Sequence, residues 1–222
     1  MVHFKYTWNK HRRDHERANW PQTRLPHSFF AQRAADGAIE EQQMNTSQPT
    51  RTFSWQNLGD LQLGRPHLGP MAPVLAYRLM QFSLWDALIN ELGQEKANDI
   101  FRRAGHMAGR ELCQNLLDKN QSFSGFIAQL QKVLKDQLIG LMRMESVDLE
   151  AMQFTLTIAE DLDCSGLPYT DEVVCQYDEG FIAGILEEYT GKVFHVAETD
   201  CWANGARVCR FTAKLVRDVA HV

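Results

Sequence analysis

No stretch of about eighteen consecutive apolar residues occurs in this chain, so the sequence offers no candidate for a membrane-crossing helix. The first thirty residues carry charges throughout and contain no apolar core of a signal peptide. Arg12-Arg13 lacks the apolar segment that a twin-arginine signal needs, and the expectation is a cytoplasmic protein. A glycine-rich phosphate loop, a Cys-x-x-Cys pair, a His-Glu-x-x-His helix and a dinucleotide fingerprint are all missing. Hydride transfer, nucleotide hydrolysis and zinc proteolysis therefore lose their usual signatures, and the chain reads more as a binding protein than as an enzyme. An excess of positive charge is missing too. The formal net charge is −5 and the isoelectric point about 5.9, which gives no general attraction to nucleic acid. Cysteine is scarce and odd in number, at five, which fits a reducing compartment better than a disulfide framework.

What is present is enough for one sizeable domain: 222 residues, 44% of them hydrophobic. Residues 1–50 stand apart. They are rich in histidine, arginine and glutamine, and their few aromatic residues show no period, which reads as a disordered basic extension. Met44 is an alternative initiator within it, and a basic arm touching a partner is the sharper reading. Residues 51–216 read as the folded domain and 217–222 as a short tail.

Within the domain, Pro73 and Gly93 bracket a helix that is apolar on two faces. A second helix spans about 95–117, with Ile100, Ala104, Ala108, Leu112 and Leu116 as its stripe. A third opens at Ser122 and stops at Gly140. Then the period changes to two: Met152, Phe154, Leu156 and Ile158 alternate with polar residues, as a half-buried strand does, with 141–149 as its hairpin partner. A fourth helix follows, with Thr170 as its expected cap, and Gly191 ends it. Two strands, about 192–198 and 207–216, close the chain around Asn204-Gly205, a strong hairpin signal. Helices, hairpin, helix, hairpin is the order of an α+β fold in which helices pack on an antiparallel sheet.

Cys175, Glu198, Cys201 and Cys209 are the candidate chemistry. Their spacings of 23, 3 and 8 residues place one on the fourth helix and three around the final hairpin. Strand alternation puts Glu198 on the same face as Phe194 and Val196, where an unpaired carboxylate costs several kcal/mol. Three soft thiolates and one carboxylate in tetrahedral reach are zinc ligands, and four protein ligands make the zinc structural, a staple for the C-terminal hairpin. The alternatives are ordinary buried thiols and a Cys201–Cys209 disulfide.

The stretch from Asp163-Cys164-Ser165-Gly166 through Cys175, Gly180, Gly184 and Glu198-Thr199-Asp200-Cys201 to Gly205 and Cys209-Arg210-Phe211 resembles the 4-vinyl-reductase domain family. The resemblance implies zinc held by three cysteines and one glutamate at this spacing. It implies a fold shared with vesicle-tethering subunits and similar to the ligand-binding domain of nitric-oxide signalling, often as a homodimer. It also implies a small hydrophobic or aromatic ligand, as in the phenol- and xylene-sensing domains of regulators, with any output passing through a separate partner protein. An accessory or enzymatic role in tetrapyrrole (bacteriochlorophyll-type) metabolism and a ligand-free protein–protein adaptor are the alternatives. Glycine pairs Gly105/Gly109 and Gly180/Gly184 mark either close helix packing or room for a ligand, and in the second case Phe101, His106, Tyr177 and Phe181 would line the pocket.

Overall fold

A computed structural model of the chain describes residues 51–216; the expectations about the N-terminal extension and the tail lie outside the described residues. After a 3-10 turn at Trp55–Leu58 and a single helical turn, α1 (Leu61–Gly64), come three long helices: α2 (Val74–Leu92), α3 (Gln94–Leu116) and α4 (Phe123–Asp136). The strands β1 (Leu141–Asp148) and β2 (Gln153–Ala159) follow, then α5 (Gln176–Thr190), and finally β3 (Phe194–Asp200) and β4 (Cys209–Leu215). The four strands form one antiparallel sheet in the order β1-β2-β4-β3. This is the α+β architecture that the switch from helical to alternating periodicity predicts.

Local chemistry sets most of the boundaries. Pro73 occupies the α2 N-cap in an extended conformation, where its missing N–H costs nothing. Gly93, at φ 82°, ends α2 and at once begins α3, a conformation open to glycine at no steric cost. Ser122 caps α4, its Oγ accepting the Gly125 N–H at 3.4 Å.

Three expectations differ from the structure. α4 ends at Asp136, with Gln137 as its C-cap and Leu138 at φ 57°, rather than at Gly140. α5 begins at Gln176, with Cys175 as its N-cap, rather than after Thr170. The Thr170 N–H is already committed to the Ala203 carbonyl at 2.8 Å, and Asp171 has φ 62°, so the chain cannot turn into a helix there. Asn204-Gly205 does not form a two-residue hairpin. A 3-10 turn at Trp202–Asn204 precedes Gly205 at φ 99°, so the link from β3 to β4 is a longer loop.

α5 is the centre of the domain. Nine consecutive residues, Asp178 to Leu186, are buried, as expected of a helix enclosed on all sides. On one side it meets α3 through the two glycine pairs. A Cβ on Gly105 would collide with the Tyr177 carbonyl, and one on Gly180 with the Arg102 carbonyl. The glycines therefore serve close backbone packing. Ion pairs flank the seam, Arg102–Glu179 at 2.6 Å and Lys119–Glu188 at 2.6 Å, and the His106 imidazole hydrogen-bonds with Glu187 at 2.9 Å. The inner faces of the strands complete the core with Phe154, Leu156, Phe194, Phe211 and Ala213. Phe126 stacks on Tyr189 with ring centroids 3.8 Å apart. Full burial of each such aromatic contributes about 1.5–3 kcal/mol.

Candidate metal centre and apolar cavities

Four segments deliver cysteines to one end of the sheet. Cys164 lies in the loop after β2, Cys175 caps α5, Cys201 follows β3 and Cys209 opens β4. The β2–β4 register sets Ile158 opposite Cys209, which brings the loop after β2 over the start of β4. Among the described residues these four sulfurs all lie within 4.8 Å of one another, and all four thiols are 0–1% exposed. Cys175 Sγ is 3.8 Å from Cys201 Sγ and 3.8 Å from Cys209 Sγ, while Cys164 and Cys209 are 3.0 Å apart. A tetrahedron with zinc–sulfur bonds of about 2.3 Å has edges of about 3.8 Å. Two measured edges match that value and the third is shorter, though far beyond a disulfide bond of about 2.05 Å. All five cysteines of the domain are free thiols.

Turns lock the sulfurs in place. The Leu167 N–H donates to the Cys164 carbonyl at 3.0 Å, and the Asn204 and Ala206 N–H groups donate to the Cys201 carbonyl at 3.2 and 3.0 Å. Cys175, Cys201 and Cys209, three of the expected zinc ligands, thus come together. The fourth member of the sulfur cluster is Cys164, which the sequence reading places in the family motif but not among the ligands. Glu198 lies beside the cluster. Its Oε2 accepts the Cys175 N–H at 3.2 Å, while its buried Oε1 has no partner. Burial, with the nearby Cys201 charge, pushes this carboxyl up to about 8.

The thiols fit a cation on electrostatic grounds as well. Hydrogen bonds from Cys164, then Cys175 and Cys209, hold Cys201 well below the usual thiol range, whereas Cys164, Cys201 and Cys209 push Cys175 far above it. Four sulfurs this close and this buried cannot all be thiolates without a compensating charge. A divalent soft cation is what allows such a group to ionise fully.

The surroundings of the cluster are acidic and buried. Asp161 and Asp163, in the loop after β2, are each 3% exposed. The loop that carries them folds beneath α2. The Tyr77 hydroxyl donates to Asp163 Oδ1 at 2.7 Å, and the Arg78 guanidinium donates to the carbonyls of Leu162 at 2.8 Å and Ser165 at 2.9 Å. Burial, then the charge of Asp163, pushes Asp161 up to about 7. Asp178, on α5, is buried with its Oδ2 unpartnered, and an oxygen of its carboxyl lies within 4.8 Å of ligand atoms of Asp161 and Cys175. Neither Cys164 as a ligand nor Asp178 carries a motif of its own. Only the fold brings them to the cluster, although Cys164-Ser165-Gly166 was a visible clue.

Two apolar cavities adjoin α5. One, of about 170 Å³, lies between α2 and α3 and is lined by Tyr77, Gln81, Leu84, Phe101, Ala104 and Tyr177. The other, of about 20 Å³, lies in the core, lined by Leu130, Met142, Phe154, Phe181 and Ile185 with Asp178 at its wall. The four expected pocket residues divide accordingly. Phe101 and Tyr177 face the larger cavity and Phe181 the smaller. The His106 imidazole turns to Glu187 and lines neither.

With this geometry in view, comparison with known proteins becomes informative. Residues 154–215, from β2 to β4 and including every cysteine of the cluster, match the model of the 4-vinyl-reductase domain. The chain is 32% identical over 108 residues to protein MJ1642 of Methanocaldococcus jannaschii, a match that covers 49% of this chain and 61% of that protein. The chain thus spans under two thirds of the length of that relative. The described residues share their fold with the phenol-responsive sensory domain of the transcription activator PoxR, solved with phenol (TM-score 0.51, 19% identity, 65% of this chain and 75% of that one). They also share it with trafficking protein particle complex subunit 3 from Naegleria fowleri, solved covalently bound to palmitic acid (TM-score 0.51, 12% identity, 67% of this chain and all of that one). Among the described residues no helix is long and apolar enough to cross a membrane.

Proposed function

We propose that residues 51–216 form a zinc-containing domain that binds a small apolar or aromatic molecule and acts as its sensor or carrier. The observation that carries this reading is the cavity between α2 and α3. At about 170 Å³ it is close to the engineered cavity of about 150 Å³ that takes up benzene. Its lining is mostly aliphatic and aromatic with a few polar groups, the usual make-up of a small-molecule site. The 4-vinyl-reductase match and the fold shared with a phenol-responsive domain support the same reading.

In this reading zinc sits in the cysteine cluster, held by Cys164, Cys175, Cys201 and Cys209, with Glu198 in reserve beside Cys175. Bound there, the ion supplies structure: it ties the loop after β2, the head of α5 and the β3–β4 connection into one unit. The domain works as a homodimer. Val74, Leu75, Leu79, Met80 and Leu84 leave much of α2 apolar and exposed, and a second copy of α2 is the surface that fits it. Any signal then passes to a separate partner protein.

Native mass spectrometry of the freshly purified full chain tests all three elements at once. The expected result is a dimer with one zinc per chain and a retained organic mass. Chains that carry no metal and no ligand, in a stable complex with a different protein, would favour the adaptor reading. Conversion of a retained tetrapyrrole on addition of a reductant would favour an enzyme.

A further inference from the structure

We infer that the cavity between α2 and α3 selects its ligand by polarity through Gln81, taking a neutral, ring-sized molecule with one N–H or O–H donor in preference to the hydrocarbon of the same shape. The inference rests on the reading of this cavity as a ligand site. Gln81 is the only buried residue on α2, at 7% exposure, although that helix carries apolar residues on every side. It lines the cavity, and its Oε1 is buried without a hydrogen-bond partner. A buried acceptor with no donor is unfavourable, and apart from Tyr77 and Tyr177 the rest of the lining, Met80, Leu84, Leu88, Ile100, Phe101 and Ala104, offers water no polar side chain. A ligand donor that reaches Oε1 removes that penalty, whereas a hydrocarbon leaves it in place. A site built around a hydrogen bond discriminates more sharply than one built on shape alone.

Indole and indene test this, because they are nearly isosteric and differ in one N–H. Their dissociation constants are measured by calorimetry on the full chain as purified with its metal. The expected result is indole binding at least tenfold more tightly, with the ratio falling to about one in Gln81→Met, which keeps the volume and removes the acceptor. Equal binding of the two by the unsubstituted protein overturns the inference while leaving the cavity as a ligand site. If neither probe binds, the ligand reading itself fails, and this inference with it.

Discussion

Replacing Cys164 by serine separates the two possible identities of the fourth zinc ligand. The spacing of the sequence points to Glu198, and the packed sulfurs point to Cys164. Structural zinc contributes about 10–16 kcal/mol at neutral pH in small modules, so one of four ligands carries roughly 3 kcal/mol, or about a hundredfold in affinity. Cys164 is fully buried and its sulfur lies 3.0 Å from that of Cys209, so serine leaves a shorter, harder oxygen facing the site with no solvent to replace the thiolate. Cys164→Ser should therefore weaken zinc binding by about a hundredfold in competition against a chromophoric chelator. The visible spectrum of the cobalt-substituted protein should also lose part of its sulfur-to-metal charge transfer. Glu198→Gln keeps all four sulfurs and the acceptor for the Cys175 N–H, and should change affinity by less than tenfold. Wild-type affinity in Cys164→Ser together with a hundredfold loss in Glu198→Gln would refute the reasoning and return the carboxylate to the metal.

Two further outcomes are expected. Burial pushes Asp161 up to about 7 and Glu198 up to about 8, from ordinary values of 3.8 and 4.5. In metal-free protein the folded state then keeps protons that the unfolded chain has already released, so stability falls as pH rises through that window. Chelator-treated protein should melt at a higher temperature at pH 5 than at pH 8, and a melting temperature that rises with pH would contradict the assignment. Gly180→Ala forces a methyl group into the Arg102 carbonyl across the α3–α5 seam and should cost about 1–3 kcal/mol in urea unfolding. Gly64→Ala, which meets nothing within 4 Å, is the control and should stay within about 0.5 kcal/mol.

The elements with strong periodicity were legible in the sequence. Phe154, Leu156 and Ile158 alternate because one face of β2 is buried, and Phe194, Val196 and Glu198 share an inner face for the same reason. Three of the four clustered cysteines were legible because they lie near one hairpin and one helix end. Cys164 was harder to assign. It lies in an irregular loop, and its position depends on the antiparallel pairing of β2 with β4, a long-range contact that no local pattern records. The burial of Asp161 and Asp163 was not legible, because acidic loop residues are usually exposed. What buries them is α2, more than eighty residues earlier, through Tyr77 and Arg78. His106 is a case of competing partners, since an imidazole beside Glu187 has a hydrogen-bond partner that a helical wheel does not reveal.

The grip of Tyr77 and Arg78 on the loop after β2 makes the first half of the domain custodian of one sulfur. Cys175, Cys201 and Cys209 are anchored by the sheet and the helix leading from it, but the Cys164 loop is in addition fastened from above by α2. Whatever lifts α2, be it an occupant of the neighbouring cavity or a protease cut ahead of Val74, pulls on that fourth corner before it disturbs the other three.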